Sequence, residues 1–362
     1  MRVLVVKMSS LGDVIHTLPA LTDAARALPG IRFDWVVEEA FAEIPRWHRA
    51  VDQVIPVALR RWRKRPLQSL RGPEWRQARN ALRRQHYDAV IDAQGLMKSA
   101  FIAQRVKAPR YGMDKYSVRE RLATSVYHHK IPVPREMHAV ERIRLLFARA
   151  LKYQLPGEAG DYGVRANLAA ATGQDLPPGL LFFHGTARAE KQWPQEHWIE
   201  LAVLAAQRGV RVWLPWGNES ERERAQRIAE RANETCAGAA AVAKGSPDSV
   251  QPAQIQVLPR LDLLGLASML LQVRGAVAVD TGLGHLAAAL DVPTVSLYGP
   301  TRTKLIGAYG RNQVHLQSPL GMADTNNPLA MMQSITAAMV WQQMSAMLCE
   351  TLPPAVVQPG SD

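Results

Sequence analysis

The feature that most constrains the fold is an alternation of short apolar runs with amphipathic, helix-like segments, and this series occurs twice. In the first half, runs such as RVLVVK, RFDWVVE and YDAVIDAQG carry consecutive aliphatic residues rather than every second one. Strands covered on both faces have this pattern, as in a parallel sheet with helices on either side. The second half repeats the series with GLLFFH, VRVWLPWG, VRGAVAVD and VPTVSLYG. The pattern predicts two α/β domains with doubly wound parallel sheets.

A stretch rich in Gly, Pro and Ala separates the two series, and the 362 residues exceed what one hydrophobic core usually serves. We therefore predict a first domain at 1–155, a linker at 156–178, a second domain at 179–318 and a tail at 319–362. Ligands of such sheets bind beyond the carboxyl ends of the strands, so the polar residues that follow strands are the candidate site residues.

The tail contains a helix-like segment, LAMMQSITAAMVWQQMSAMLCE, without a charged residue between Thr325 and Cys349. Its Gln, Ser, Thr and Asn content argues against a membrane-spanning helix. A Met-rich helix that packs across the two domains is the alternative that we expect.

Positive charge is concentrated in one segment. The formal net charge is +12, and residues 60–84 hold ten Arg or Lys against the single acid Glu74. Such a segment attracts nucleic acid, an anionic membrane surface or an acidic acceptor, or it is only a solvated face. No nucleic-acid recognition module accompanies it.

Two cysteines, Cys236 and Cys349, provide neither a disulfide framework nor a CxxC metal motif. The apolar run at the N-terminus is shorter than the core of a signal peptide. Both observations favour a cytoplasmic protein.

The loop after the first predicted strand raises two alternatives. In KMSSLGDVIHTL, polar and small residues precede an amphipathic helix: Ser9, Ser10, Gly12 and Asp13. Ser and Asp there can cap the helix by accepting hydrogen bonds from free N–H groups. Alternatively, Asp13 is a general base that removes a hydroxyl proton, with Gly12 leaving room for a substrate.

In the second half, three clusters follow strands. VAVDTGLGHLAAAL offers backbone N–H groups at a helix start, which favours a diphosphate, although Asp-Thr-Gly is also an ordinary capping sequence. HGTARAEKQWP contains a lysine that can neutralise a leaving phosphate or can be a plain surface residue. LPWGNESERERA contains a glutamate suited to ribose hydroxyls or to a first helical turn. The candidate residues of these clusters are Thr186, Lys191, Glu221, Asp280, Thr281, Gly282, Leu283 and His285.

Several motifs are absent from the sequence: Asp-x-Asp, GxxxxGK[ST], HExxH and GxSxG. Asp-x-Asp is the usual means by which a sugar transferase holds a metal-bound diphosphate, so we expect no metal ion and no further cofactor.

These motifs together resemble the lipopolysaccharide heptosyltransferases. The resemblance rests on VVKMSSLGDVIHTLPAL, FDWVVEE, IPVALRRWRK, YDAVIDAQGLMKS, HGTARAEKQWP, LPWG and VDTGLGHLAAAL, and it extends from Met1 to about Gly310. It implies a GT-B architecture, in which two Rossmann-like domains face a central cleft. It also implies inverting transfer of heptose from ADP-L-glycero-β-D-manno-heptose to the first Kdo of Kdo2-lipid A, at the cytoplasmic face of the inner membrane.

The resemblance also implies residue roles. Asp13 matches the catalytic base and Lys191 the lysine on the donor phosphates, while the other second-half candidates match donor-site positions. Basic positions match those assigned to the anionic acceptor: Arg60, Arg61, Arg63, Lys64, Lys98 and Arg119. This sequence has Thr186-Ala187 where the family has two adjacent threonines, and residues 233–253 look like an insertion.

Two alternatives stay open. The first, within the enzyme class, is a related transferase that adds a later core heptose or another sugar. Outside it, the chain is a basic nucleic-acid-binding protein on an α/β scaffold.

Overall fold

The computed structural model of the chain describes residues 1–62, 64, 72–170, 179–242, 253–321 and 327–350. Arg63 and parts of the predicted linker, insertion and tail lie outside the described residues. The chain divides into two compact units, Met1–Thr172 with Lys304–Gly310, and Gly173–Thr303 with Arg311–Asp362.

The first unit is built on a six-stranded parallel sheet in the order β3-β2-β1-β4-β5-β6. Its strands are Arg2–Val6 (β1), Arg32–Glu38 (β2), Val51–Val57 (β3), Ala89–Asp92 (β4), Arg110–Met113 (β5) and His129–Ile131 (β6). β1 pairs with β2 on one side and β4 on the other, so the order reverses at β1. This is the doubly wound order that the sequence pattern predicts.

Three of the described helices of the first unit have ten or more residues, and the others are shorter. The helices are Leu11–Ile15 (α1), Leu18–Ala27 (α2), Glu43–Arg46 (α3), Leu59–Trp62 (α4), Pro73–Arg84 (α5), Met97–Ala103 (α6), Ala139–Leu151 (α7) and Arg165–Ala169 (α8). The sequence pattern predicts one helix from about Val14 to Leu28, but the chain forms two. The reason is Pro19, which lacks an N–H and fits the first turn of a new helix.

The aromatic residues of the basic segment face inward. Trp62 packs edge-to-face on Trp75 with ring centroids 5.8 Å apart, and both are buried. The Trp62 indole Nε1 donates to Glu74 Oε2 at 2.8 Å. The tryptophan between the arginines therefore belongs to the hydrophobic core beneath β1 and β4 rather than to an exposed interface.

The second unit repeats the architecture, with the strand order β12-β11-β10-β7-β8-β9. Its strands are Gly179–Phe183 (β7), Arg211–Leu214 (β8), Ile255–Val257 (β9), Gly275–Val279 (β10), Thr294–Tyr298 (β11) and Gln313–Gln317 (β12). Its helices are Gln195–Ala206 (α9), Glu219–Val242 (α10), Leu263–Leu270 (α11), Gly282–Ala289 (α12), Thr303–Ile306 (α13, which crosses into the first unit), Pro328–Gln333 (α14) and Ala337–Glu350 (α15). The prediction of two doubly wound sheets is confirmed.

The helix-like tail segment forms α14 and α15, and both pack in the second unit. Met332, Val340 and Met344 are buried in the same core as strands β7 and β10. The Trp193 indole donates to the Ile335 carbonyl at 2.8 Å. The uncharged stretch thus contributes to the core of the second unit, and packing across the two domains stays a prediction. Within the described residues, no helix combines the length and apolar character that crossing a membrane requires.

Two segments differ from the predicted domain bounds. Residues 304–310, assigned by sequence to the second domain, lie in the first unit, as do residues 156–170 of the predicted linker. Tyr309 accounts for both, because its hydroxyl accepts from Gly160 N at 2.9 Å and its carbonyl accepts from the Tyr162 hydroxyl at 2.9 Å. The Tyr309 hydroxyl also donates to Glu141 Oε1 at 2.5 Å.

Candidate active site

Asp13 stabilises the start of α1. One carboxylate oxygen, Oδ2, accepts from the backbone N and from the hydroxyl of Ser10, each at 2.9 Å. Ser10 precedes the helix in an extended conformation, as N-cap residues do. Asp13 therefore takes part in capping α1 through its Oδ2 atom.

The other oxygen of Asp13 faces a buried cation. Lys7 Nζ lies 3.5 Å from Asp13 Oδ1, and the lysine side chain is 8% exposed while that of Asp13 is 41% exposed. Burial raises the pKa of Asp13, but the Lys7 ammonium and the Ser10 hydrogen bonds outweigh it, so the pKa lies below its ordinary value. Asp13 is consequently ionised at neutral pH, with one oxygen unengaged by the cap.

The loop that carries Ser9 and Ser10 is held by residues that follow β4. Gln94 Oε1 accepts from Met8 N at 2.9 Å and Ser9 N at 3.1 Å, and its Nε2 donates to the Ser9 carbonyl at 2.7 Å. Lys98 Nζ donates to the Ser9 hydroxyl at 3.1 Å. Lys98, a candidate acceptor residue, thus lies beside the loop that leads to Asp13.

The turn after β4 depends on the buried carboxylate of Asp92. It accepts from the Ser99 hydroxyl at 2.8 Å, the Tyr127 hydroxyl at 2.6 Å, and the backbone N of both Gln94 and Gly95. Burial raises the pKa of Asp92 in spite of these bonds. Such a saturated carboxylate shapes the turn and is poorly placed to act as a base.

A pocket of about 360 Å³ opens beside Asp13 within the first unit. Its charged lining groups are Lys7, Asp13, Asp92, Arg119, Arg135 and Arg142. The Arg135 and Arg142 guanidinium groups donate to the Val118 and Ser117 carbonyls, at 2.9 and 2.6 Å. Three guanidinium groups and an ammonium against one exposed carboxylate make the pocket suited to an anionic ligand.

The sequence identifies Arg119 in this pocket but not Arg135 or Arg142. Arg135 lies in the loop between β6 and α7, and Arg142 lies within α7. No motif marks them, and only the fold brings them to Asp13.

The described residues of the RRWRK run do not line this pocket. Arg61 instead pairs with Glu39 Oε2 at 3.0 Å and Glu74 Oε1 at 2.9 Å. The Arg60 backbone N donates to Glu38, and its guanidinium lies over the Phe41 ring at 5.5 Å. Lys64 is exposed, and Arg63 lies outside the described residues.

In the second unit, two loops meet at an ion pair. Lys191 Nζ lies 2.5 Å from Asp280 Oδ2, with the two side chains 15% and 9% exposed. The Thr301 hydroxyl donates to the same Asp280 oxygen at 2.6 Å, and the Thr186 hydroxyl donates to the Asp280 carbonyl at 3.2 Å. Thr301, which sequence reasoning missed, follows β11 in a loop without a glycine-rich signal.

Helix α12 begins immediately after this pair. Thr281 precedes it in an extended conformation, and Gly282, Leu283 and His285 lie in its first turn, where the helix dipole favours an anion. Gly284 faces the sheet, since a Cβ there would lie 3.2 Å from the Ala278 Cβ. The lysine and this helix start thus border the same loop.

The Glu221 carboxylate lies against Gly185, next to Thr186 in the loop after β7. Its Oε2 accepts from Gly217 N at 2.8 Å, and a Cβ on Gly185 would lie 2.6 Å from the Glu221 carboxyl carbon. Gly185 therefore allows the loop to approach the carboxylate. Among the described residues, no group of three or more His, Cys, Asp or Glu side chains is arranged to hold a metal ion.

Comparison with known proteins gives one matching family model, glycosyltransferase family 9 (heptosyltransferase), over residues 75–334. A lipopolysaccharide heptosyltransferase 1 of Pseudomonas aeruginosa is 56% identical over 323 residues, covering 88% of this chain and 84% of that protein. The structure of E. coli heptosyltransferase WaaC with ADP superposes with a TM-score of 0.84 at 45% identity, covering 96% of this chain and 100% of that one. The same enzyme with ADP-2-deoxy-2-fluoro heptose gives 0.81 at 43% identity, covering 96% and 99%.

Proposed function

The chain belongs to glycosyltransferase family 9, the heptosyltransferases, and we propose that it transfers L-glycero-D-manno-heptose from ADP-heptose to the first Kdo of Kdo2-lipid A. The high identity to a lipopolysaccharide heptosyltransferase 1 supports the reaction, and the likeness to an enzyme solved with an ADP-heptose analogue supports the donor. Its two doubly wound domains are those of the GT-B architecture.

The observation that carries the acceptor assignment is the arginine-lined pocket beside Asp13. Kdo is an acidic sugar, and guanidinium groups bind carboxylates through charge-assisted, often paired hydrogen bonds. A Kdo carboxylate directed to Arg119, Arg135 and Arg142 places the sugar in the pocket that also contains the candidate base. A heptose that accepts a later sugar has no carboxylate of its own to pair with these guanidinium groups.

The donor assignment rests on Lys191 and the start of α12. In this proposal the ammonium group, held by Asp280, contacts the donor phosphates together with the N–H groups after Thr281. These groups stabilise the negative charge that collects on the departing ADP, a task that metal-dependent transferases give to a divalent ion. Because these groups stabilise the leaving ADP, we propose that the transfer is metal-independent. We also propose that Glu221 binds the ribose hydroxyls of the donor.

The reaction inverts the anomeric carbon in this proposal. Asp13 takes the proton of the Kdo hydroxyl while that oxygen attacks the heptose carbon from the face opposite ADP. The bond from that carbon to the diphosphate breaks, and its electron pair leaves on ADP. General-base assistance of this kind is worth ~10²–10⁴ in rate.

We also propose that the enzyme acts at an anionic membrane surface. Four arginines on α5 are exposed and have no described acidic partner: Arg76, Arg79, Arg83 and Arg84. Anionic lipids attract such segments.

The test is a transfer assay with purified enzyme, ADP-heptose and three acceptors: Kdo2-lipid A, a carboxyl-reduced analogue, and heptosyl-Kdo2-lipid A. We expect efficient transfer only to Kdo2-lipid A, with KM raised for the reduced analogue. Preferred use of the heptosylated acceptor would reassign the enzyme to a later step. Binding to duplex DNA with no transfer at all would support the nucleic-acid alternative.

A further inference from the structure

Lys7 has no step in the transfer proposed above, yet among the described residues its ammonium is the cation that forms an ion pair with Asp13. It follows directly after β1, and its backbone N donates to the Val36 carbonyl. Its ammonium donates to the Ala93 carbonyl at 3.0 Å and lies 3.5 Å from Asp13 Oδ1. A buried side chain tied at both ends holds its charge in one place.

The two oxygens of Asp13 have different surroundings. Oδ2 accepts two hydrogen bonds from Ser10, which leaves little capacity for a proton. Oδ1 lies 3.5 Å from the Lys7 ammonium, a looser contact than the two 2.9 Å bonds that Oδ2 accepts from Ser10. Oδ1 is therefore the oxygen on which a proton can be received.

We propose that Lys7 is a positioning residue of the heptosyl transfer: its ammonium keeps Asp13 ionised in acidic solution and holds Oδ1 toward the acceptor hydroxyl. This inference rests on the proposed function, because it concerns the base of that reaction. In the step, the hydroxyl O–H bond breaks and the proton goes to Oδ1. The freed oxygen pair forms the glycosidic bond while ADP leaves with the electrons of the broken bond.

Other charged groups also face the pocket and bear on the titration of Asp13. His16 lies one turn along from Asp13, Asp92 ends β4, and Arg119, Arg135 and Arg142 come from the far wall. Lys98 donates to the Ser9 hydroxyl in the loop before Asp13. Lys7 is distinguished by its ion-pair distance to the carboxylate, so its removal has the largest effect.

The test compares three single variants by their pH profiles of kcat/KM for the acceptor. Lys7→Gln removes the charge but keeps a donor for the Ala93 carbonyl, and Lys7→Arg keeps the charge. Lys130→Met removes one charge from an exposed position on β6 and serves as the control.

We expect the acidic limb to move up by about 1–2 pH units in Lys7→Gln, since an opposite charge this close typically lowers a carboxyl pKa by that much. Lys7→Arg and Lys130→Met keep the wild-type limb. A Lys7→Gln profile with an unmoved limb, or a loss equal at every pH, would overturn the proposal.

A second measurement does not require the Lys7 variants to fold. Carboxyl ¹³C resonances of the wild-type protein, with the Asp13 signal assigned by its loss in Asp13→Asn, report the titration directly. A pKa below the ordinary 3.9 or so supports the proposal, and one at or above it refutes the proposal even if heptosyl transfer is confirmed. Failure of transfer by the wild-type enzyme would instead refute the proposed function.

Discussion

Replacing Asp13 separates the two roles that its oxygens have. Asp13→Asn keeps the size of the side chain and one oxygen that can accept the Ser10 hydrogen bonds, but it cannot take a proton. Asp13→Ala removes both the cap and the base. The pair of variants therefore measures capping and catalysis in one position.

The expected magnitudes follow from these contacts. Loss of the base lowers kcat by ~10²–10⁴ in both variants, or roughly 3–5 kcal/mol of activation free energy. Loss of the cap lowers the free energy of unfolding by about 0.5–2 kcal/mol in Asp13→Ala. The Asn variant loses less stability because the Ser10 bonds to one oxygen persist.

The assay is steady-state transfer of labelled heptose to Kdo2-lipid A, with kcat and both KM values, beside ADP binding by calorimetry and urea denaturation. We expect ADP affinity within about twofold of wild type in both variants, because Asp13 lies in the first unit and the candidate phosphate groups lie in the second. An Asp13→Asn enzyme with kcat within tenfold of wild type would refute the base assignment. So would a kcat loss seen in Asp13→Ala alone, since it would trace to the cap.

Three further predictions concern groups elsewhere. Lys191→Met should weaken ADP binding about 10- to 100-fold by calorimetry, through loss of a charged hydrogen-bond donor, and unchanged binding would contradict the donor assignment. Arg144→Leu should lower the free energy of unfolding by about 3–5 kcal/mol in urea, because its 2.7 Å ion pair with Asp23 is 2% exposed on both sides and the acid would remain buried alone; a loss under 1 kcal/mol would contradict this. Burial, then Arg49, lowers the pKa of His48 to about 4 from 6.5, so the unfolded state binds more protons between these values and stability is lost as pH falls through that window. The loss approaches about 3 kcal/mol near pH 4, and a His48→Gln variant whose stability declines as steeply as wild type would refute it.

The strands that the sequence reveals are the fully buried ones. Val3 to Val6 and Gly275 to Val279 are inaccessible to solvent, and their uninterrupted apolar runs are the direct trace of a sheet covered on both faces. β6 and β12 lie farther from the sheet centre, are partly exposed and carry polar residues, so no such run marks them. Periodicity detects burial, and edge strands are less buried.

The site divides in the same way. Asp13, Lys191 and Asp280 follow strands directly, where ligand residues of these sheets are expected, and their positions are visible in the sequence. Arg142 lies in helix α7, far along the chain from Asp13, and it reaches the pocket because that helix packs against the sheet. No local sequence pattern indicates this contact. For the RRWRK run, the sequence shows the positive charge but not how it is paired. In the structure Arg61 forms ion pairs with Glu39 and Glu74.

The two acid–lysine pairs differ in a way that assigns their roles. Asp280 Oδ2 lies 2.5 Å from Lys191 Nζ and accepts from the Thr301 hydroxyl at 2.6 Å. The Asp280 side chain is only 9% exposed, so it holds the lysine in place and has no access to a substrate proton. Asp13 stays 41% exposed, its lysine stands 3.5 Å away, and its cap bonds converge on the oxygen turned from that lysine. The tight pair suits a cation that must stay in place beside phosphates, and the looser pair suits a carboxylate that must accept a proton and release it. Capping and catalysis at Asp13 are thus compatible, because each uses its own oxygen.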